Sequence, residues 1–381
     1  MNAHNKIRVG VIFGGRSGEH EVSLMSAQSV MAALDPNKYA VTPIGISKDG
    51  SWITGEVVDA LNADALSAGT KDIHTAALLP DPQASALMQV EVMDMRPVSL
   101  SVVTELDVII PVLHGTYGED GTVQGLLELA GLPYVGAGVV GSAVGMDKAI
   151  FKYVMVANDL PVLPWLLFTS LDWAKRPSQI LDEIEVKLSY PVFTKPANLG
   201  SSVGITKCTN RAELADGMDA AAKYDRRVVI EQGINARELE VAVLGNEQPE
   251  ASIVGEIRPR RDFYDYVAKY AAEPGSEDES ELLIPAAISA ATADEVRALA
   301  IRAYKAIDCG GLGRVDLLMD KQNGRLYLNE INTIPGFTRI SMYPKLWEAS
   351  GLSYTQLLDK LIDLALERYM VKQELTTTFE A

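Results

Sequence analysis

Cysteine is almost absent from this chain: Cys208 and Cys309 are the only two in 381 residues, far apart and in no metal-like spacing. That excludes a disulfide framework and a thiolate zinc site, and reads as two reduced thiols in a cytoplasmic protein. Histidine is scarce as well, four in all and none clustered, so nothing supports zinc hydrolysis. Basic charge is in deficit, with 34 Lys and Arg against 51 Asp and Glu for a formal charge of −17. Nucleic acid is thereby excluded as a partner, since neutralising its phosphates needs a basic surface. Any anionic ligand must be held by local cations and backbone N–H groups. No apolar run reaches the length of a membrane span. The short run at Arg8–Phe13 stops at glycines and is a first strand, not a signal peptide. Internal repeats and low-complexity segments are missing too. What remains is a globular composition, 48% hydrophobic and 22% charged, in a chain long enough for two or three domains.

The first third alternates strands over Arg8–Phe13, Val41–Ile46 and Leu106–Leu113 with helices over Glu21–Leu34 and Thr122–Ala130. That βαβ rhythm predicts a parallel sheet with ligands near the carboxyl ends of its strands. Gly55–Val98, rich in Ala, Asp and Ser, reads as a peripheral insertion containing a hairpin. The glycine-dense Gly131–Gly145 marks a boundary, and a helix over Met146–Asn158 follows. Next come PVFTK, a glycine-containing loop, SVGITKC, a helix over Arg211–Lys223 and RVVIEQ. The remainder holds the strand ELEVAVLG, a charged loop, and a helix over Thr292–Ile307 opened by a capping box of Thr292 with Glu295. A closing helix over Ser353–Val371 buries Leu357, Leu358, Leu361, Ile362 and Ala365.

The most informative stretch is GRVDLLMDKQNGRLYLNEINTIPG, Gly313–Gly336. Two alternating apolar runs flank a polar DKQNG segment, the pattern of two antiparallel strands joined by a tight turn. Arg314, Asp316 and Leu318 then share one face, as do Leu328, Glu330 and Asn332. A turn centred near Asn323 puts Asp316 opposite Glu330 and Arg314 opposite Asn332. Two carboxylates and an amide on one face form an all-oxygen set suited to Mg²⁺, and Mg²⁺ with few protein ligands suggests a bound nucleotide. On spacing alone a solvated strand face fits equally well. The TIPGF that follows breaks the strand, sets backbone N–H groups beside the cluster, and favours a site.

Lys195 ends a strand and leads into a Gly-Ser-Ser-X-Gly loop, a cation followed by unencumbered donors that suits phosphate. It is not a Walker A loop, and a surface hairpin tip fits it equally. Lys148 offers a second cation, though by itself it reads as a solvated helix lysine. The turn GGRSGEHE does not match G-x-G-x-x-G, which disfavours a Rossmann NAD site. Glu19 within it can hold an ammonium group or serve only as a helix-start acid. His114, at the end of an apolar strand, can support a carboxylate or be a satisfied core histidine. Lys269 and Tyr270 lie in RDFYDYVAKY, a charged and aromatic stretch that reads either as a lid over Arg261–Tyr270 or as an exposed loop.

Taken in order, HEVS, LHGTYGEDGTVQGLLELAGLPYVGAG, MDK, FTKPANLGSSVGI, IEQGINARELEVAVLG, FYDYVAKY, GLGRVDLLMD and LNEINTIPGFT resemble the D-alanine–D-alanine ligase family of the ATP-grasp superfamily. The matches run from Val9 to Ser341. The resemblance implies an α/β protein with a three-domain ATP-grasp architecture and an N-terminal parallel-sheet domain. Its units would be 1–136, carrying the insertion at about 55–98, then 137–231 and 232–381. It implies ATP and two Mg²⁺ ions, with Mn²⁺ as a substitute, and two D-alanine molecules as substrates. A homodimer, no membrane partner and a role in peptidoglycan precursor synthesis are implied as well.

Carried over by position, Asp316, Glu330 and Asn332 match the metal ligands, Lys148 and Lys195 the phosphate contacts, and Ser202 the phosphate loop. Glu231 matches the adenine-side acceptor and Glu238 the ribose carboxylate, with Ile234 and Phe263 also on the nucleotide side. Gln232 stands where many relatives carry lysine. Glu19 matches the group holding the first ammonium, with His114 near the first carboxylate. Ser201 and Tyr270 link Glu19 to the closing loop, and Lys269 matches a loop lysine. Ser341 and the Met342 backbone match the binders of the second carboxylate, and Arg314 with the Gly336 N–H the donors to the tetrahedral intermediate. Tyr270 also matches a position where depsipeptide-forming relatives differ, which favours an amine over D-lactate as second substrate. Two other classes are weighed. A biotin carboxylase-like or glutathione synthetase-like ligase would lack HEVS and FYDYVAKY, and a silent nucleotide-binding protein would lack Asp316, Glu330, Arg314 or Lys195. D-Serine or D-lactate remains open as the second substrate.

Overall fold

In the computed structural model, which describes residues 6–55, 73–93, 96–258 and 281–376, three sheets organise the chain. The first contains β1 (Ile7–Gly14), β2 (Tyr39–Ile46), β3 (Trp52–Gly55), β4 (Ile73–Leu78), β5 (Ala86–Met93), β6 (Arg96–Glu105) and β7 (Val108–Val112). Their order is β6-β5-β4-β3-β2-β1-β7. The expected parallel sheet is confined to β2, β1 and β7, while β3 to β6 pair antiparallel. The links from β2 to β3, β4 to β5 and β5 to β6 are too short for a parallel crossover, so these strands can only reverse. The expected hairpin is present as β4 and β5, and the insertion that carries it extends this sheet and does not stand apart. Residues 56–72 and 94–95 lie outside the described residues.

The second sheet orders β8 (Trp165–Thr169), β9 (Val192–Pro196), β10 (Thr206–Cys208) and β11 (Arg227–Gln232) as β10-β9-β11-β8. The third holds β12 (Ala236–Leu244), β13 (Glu250–Arg258), β14 (Glu281–Leu283), β15 (Leu312–Asp320) and β16 (Leu326–Asn332) as β14-β13-β12-β15-β16, all antiparallel. Gly131–Gly145, read as a boundary, contains most of a helix, Val139–Met146. Asp147 ends it with extended backbone and opens the next helix, Lys148–Ala157, by accepting from the N–H groups of Ala149 and Ile150. The predicted box of Thr292 with Glu295 is not the start of its helix. Ser289 caps helix Ala290–Ala306 by accepting from Thr292 N–H, so a cap just upstream of the apolar period takes precedence. A capping box does open helix Tyr354–Gln373, between Ser353 and Gln356, and all five residues expected inside that helix are buried.

One core joins the first and last parts of the chain. Val11, Phe13 and Val112 from the N-terminal sheet pack with Phe337, Leu346, Leu358 and Ile362. Each such buried side chain stabilises the fold by about 2 kcal/mol. The segment after β16 is thereby fixed against the N-terminal sheet, which brings the carboxyl ends of β1 and β7 to the metal-type hairpin.

Candidate active site

β15 and β16 pair with Asp316 opposite Glu330 and Arg314 opposite Asn332, the register that the turn predicts. Just beyond, the register slips to Leu317 opposite Leu328, passing over Asn329. That bulge corrects one expectation: Leu328 does not share a face with Glu330, because it is fully buried while Glu330 and Asn332 stay half-exposed. Strict alternation would have placed an apolar side chain on the charged face; the extra residue sends it into the core.

Arg314 grips Asp316 with Nε 2.7 Å from Oδ1 and Nη2 2.6 Å from Oδ2. Its Nε also lies 3.0 Å from Oε2 of Glu240, a buried carboxylate on β12 directly across from Asp316. Asn332 Nδ2 donates to Asp316 Oδ2 at 3.0 Å. Among the described residues no three His, Cys, Asp or Glu side chains converge on one point. Two carboxylates and an amide on adjacent strands nevertheless fit Mg²⁺, which takes oxygen donors and leaves the rest of its octahedron to phosphate and water.

On the second sheet, β9 and helix Lys148–Ala157 bring two lysines to a carboxylate of β11. Lys195 Nζ donates to Glu231 Oε2 at 2.5 Å, and Lys152 Nζ donates to Glu231 Oε1 at 2.8 Å. Burial opposes the Glu231 charge, but Lys152 and Lys195 overcome it and hold the carboxyl at about 2. Lys152 is itself pulled down by burial and held up by Glu231. Each Glu231 oxygen thus accepts from a lysine. Lys148 donates from Nζ to the Leu199 carbonyl at 2.6 Å, beside the loop that carries Ser201 and Ser202. Those two serines adopt left-handed backbone, φ 52° and 59°, which costs about 1 kcal/mol each in a non-glycine residue.

Gln232 turns its amide to the Ser189–Pro191 stretch: Oε1 accepts from Ser189 N–H at 2.9 Å and Nε2 donates to the Ser189 carbonyl at 2.7 Å. Ile234 is half-buried on the connector from β11 to β12, and Glu238 is half-buried on β12, opposite Leu318.

At the seam with the N-terminal sheet, Glu19 ends the turn before helix His20–Ala33. It caps nothing with its side chain and instead accepts from Ser201 Oγ. Glycines make the room: a Cβ on Gly115 or Gly200 would come within 2.7 Å of Glu19 Oε2. His114 is buried and uses both ring nitrogens inside the protein, Nδ1 to the Ile334 carbonyl at 2.9 Å and Nε2 to Ser26 Oγ at 3.2 Å. A carbonyl can only accept, so Nδ1 carries the proton and Nε2 takes one from Ser26. Burial depresses the His114 pKa against the pull of Glu19. Glu119 accepts from Gly115 N–H at 2.9 Å and from Ile334 N–H at 3.3 Å. Burial, reinforced by the Glu19 charge, pushes its carboxyl up to about 8. Ser341 Oγ accepts from Thr338 N–H at 3.1 Å and stands 3.1 Å from where a Gly336 Cβ would be, ahead of helix Met342–Ala349.

Lys152, Glu119 and Glu240 were not singled out in the sequence. Lys152 follows Lys148 by one helical turn, and Glu240 follows Glu238 at strand spacing, so periodicity puts each on the face of a residue already singled out but does not show its ion pair. Nothing local marks Glu119 inside GTYGEDG. Phe263, Lys269, Tyr270 and the proposed lid over 261–270 lie outside the described residues.

This geometry has counterparts. The family models described as D-ala D-ala ligase N-terminus and C-terminus match residues 8–137 and 154–363. A D-alanine–D-alanine ligase from Heliobacterium modesticaldum is 52% identical over 373 residues, 98% of each chain. One from Natranaerobius thermophilus is 47% identical over 375 residues, 98% of this chain and 99% of that one. Among solved structures, the VanG D-Ala:D-Ser ligase from Enterococcus faecalis aligns with TM-score 0.81 and 34% identity over 95% of this chain and all of that one. The D-alanine–D-alanine ligase from Coxiella burnetii aligns at 0.78 with 33% identity, covering 97% and 96%. Three sheets, a lysine-lined central sheet and an acidic hairpin set in this order, matched along nearly the whole length, place the chain in the D-alanine–D-alanine ligase family, with the ATP-grasp fold.

Proposed function

We propose that this protein joins two D-alanine molecules at the expense of ATP, to give D-alanyl-D-alanine for peptidoglycan precursors. The observation that carries this reading is the meeting of three groups: lysines on β9 and helix Lys148–Ala157, Glu19 bound to Ser201, and oxygen donors on the β15–β16 hairpin, where Glu330 is close enough to act electrostatically on Lys152 and on Glu119. A free carboxylate is a poor electrophile, and an acyl phosphate is a good one. The carboxylate oxygen of the first D-alanine attacks the γ-phosphorus while the bond to the leaving ADP oxygen breaks. The free amine of the second D-alanine then attacks the acyl carbon. The carbon–oxygen bond to phosphate breaks, an amide forms, and the proton from nitrogen goes to solvent.

Phosphoryl transfer depends chiefly on positioning and charge neutralisation. Lys148, Lys195 and the Ser202 loop take the phosphates; the connector Glu231–Ile234 meets adenine through its main chain, and Glu238 takes the ribose. Asp316, Glu330 and Asn332 hold two Mg²⁺, replaceable by Mn²⁺, which would neutralise phosphate charge. Glu19, oriented by Ser201, holds the first ammonium, with His114 on the side of its carboxylate. Ser341 and Met342 N–H receive the second carboxylate, and Arg314 with Gly336 N–H stabilises the oxyanion. The units 1–136, 137–231 and 232–381 close around these substrates, in a homodimer of the cytoplasm.

The likeness to a D-Ala:D-Ser ligase favours D-serine as the alternative second substrate. Incubation with ATP, Mg²⁺ and D-alanine, alone and against D-serine, D-lactate or L-alanine, separates the readings. D-alanyl-D-alanine with one phosphate released per dipeptide is expected. Phosphate release indifferent to D-alanine, or a product dominated by D-alanyl-D-serine in an equal mixture, would overturn the assignment.

A further inference from the structure

Lys152 has no part in the reading above, yet it is one of the most deeply buried charges in the molecule. Its side chain is 2% exposed, as is that of Glu231, whereas Lys195 at the other end of the same carboxylate is 14% exposed. Helix Lys148–Ala157 is tied to β11 by two ion pairs of opposite sense, Asp147 with Arg227 at its start and Lys152 with Glu231 one and a half turns on. Arg227 and Glu231 are four apart on a strand and face the same way. A buried pair of this kind is a poor way to gain stability, since apolar residues of like volume serve as well or better. Its value lies in the charge count. Glu231 with Lys195 alone would sum to zero and hold the ammonium in a closed pair. Glu231 between two lysines sums to +1, and the excess resides on the lysine that reaches the cleft.

We propose that Lys152 is a positioning residue for nucleotide binding: by neutralising Glu231 it lets that carboxylate aim Lys195 without consuming its charge. This rests on the reading that Lys195 meets the nucleotide phosphates. A merely structural Lys152 would be needed for folding but would be indifferent to the charge on Glu231.

The test is the affinity of the full chain for a fluorescent ADP analogue without Mg²⁺, with thermal unfolding of each variant alongside. Lys195→Met is expected to weaken binding about tenfold or more, the scale of one charged hydrogen bond. Lys152→Met is expected to weaken it by a similar factor, because Glu231 then closes on Lys195. Adding Glu231→Gln to Lys152→Met is expected to recover most of that loss. Parent-like affinity in Lys152→Met, or additive losses in the double variant, would overturn the inference. Parent-like affinity in Lys195→Met would instead overturn the phosphate reading beneath it.

Discussion

The two walls of the cleft are built on the same plan with the signs reversed. Where helix Lys148–Ala157 packs on the central sheet an acid sits between two bases, Lys152–Glu231–Lys195; where β12 borders the hairpin a base sits between two acids, Glu240–Arg314–Asp316. In each triad the inner member is the more buried, 2% for Lys152 and 6% for Glu240, and the outer member reaches the cleft, 14% for Lys195 and 13% for Asp316. One wall therefore carries a net positive charge, suited to phosphate, and the other a net negative charge, suited to a metal ion, without exposing an uncompensated ion to a dry interior. A chain with formal charge −17 can hold a polyphosphate because the sign is set locally.

The largest effect is expected at the outer acid. Asp316→Ala or Glu330→Ala removes a proposed charged metal ligand, and ligation should fall by about a thousandfold or more while the unfolding midpoint stays near that of the parent. Near-normal turnover of Glu330→Ala at ordinary Mg²⁺ would break the metal half of the comparison. Glu240→Gln sharpens it. With Glu240 neutral, Arg314 has no second acid and holds Asp316 more firmly. The Mg²⁺ concentration for half-maximal activity should rise severalfold, with little change in the rate at saturating metal. An unchanged Mg²⁺ requirement would mean that Glu240 does not share Arg314.

The smallest effect concerns Glu119, which belongs to neither triad but to the seam beside them. Its carboxyl is raised from 4.5 to about 8, so the folded protein keeps a proton that the unfolded chain gives up. Its contribution to stability is complete below pH 4.5 and is lost as pH rises through 8. Thermal unfolding of the parent should therefore drop over that interval more steeply than that of Glu119→Gln, by several degrees in all. Parallel curves would refute the assignment.

The hairpin was legible in the sequence because both signals are local: strand alternation fixes faces, and a short polar turn fixes register. Asp316 opposite Glu330 follows from those two facts. The bulge at Asn329 was not legible, since it depends on Leu328 finding a place in the core. The triads were legible only in part. Lys195 announces itself before a glycine-rich loop, but its partner Glu231 lies across a strand pair, and Lys152 reads as an ordinary helix lysine until helix and sheet are packed together. Glu240 is hidden in the same way within ELEVAVLG. In the N-terminal sheet the apolar runs found β1, β2 and β7 and a hairpin inside the insertion, but not β3 or β6, nor that all four of these strands extend one sheet. Tyr270 and Lys269 belong to FYDYVAKY, one of the motifs behind the resemblance, which lies outside the described residues.

The opposed triads are tested most directly by ADP affinity measured with and without Mg²⁺ in Lys195→Met and Asp316→Asn. Without metal, the loss of a cation should weaken ADP binding and the loss of an anion should leave it equal or tighter. With Mg²⁺, Asp316→Asn should lose most of the metal-dependent gain, whereas Lys195→Met should retain it. Metal-free binding that weakens in Asp316→Asn as it does in Lys195→Met would contradict the account.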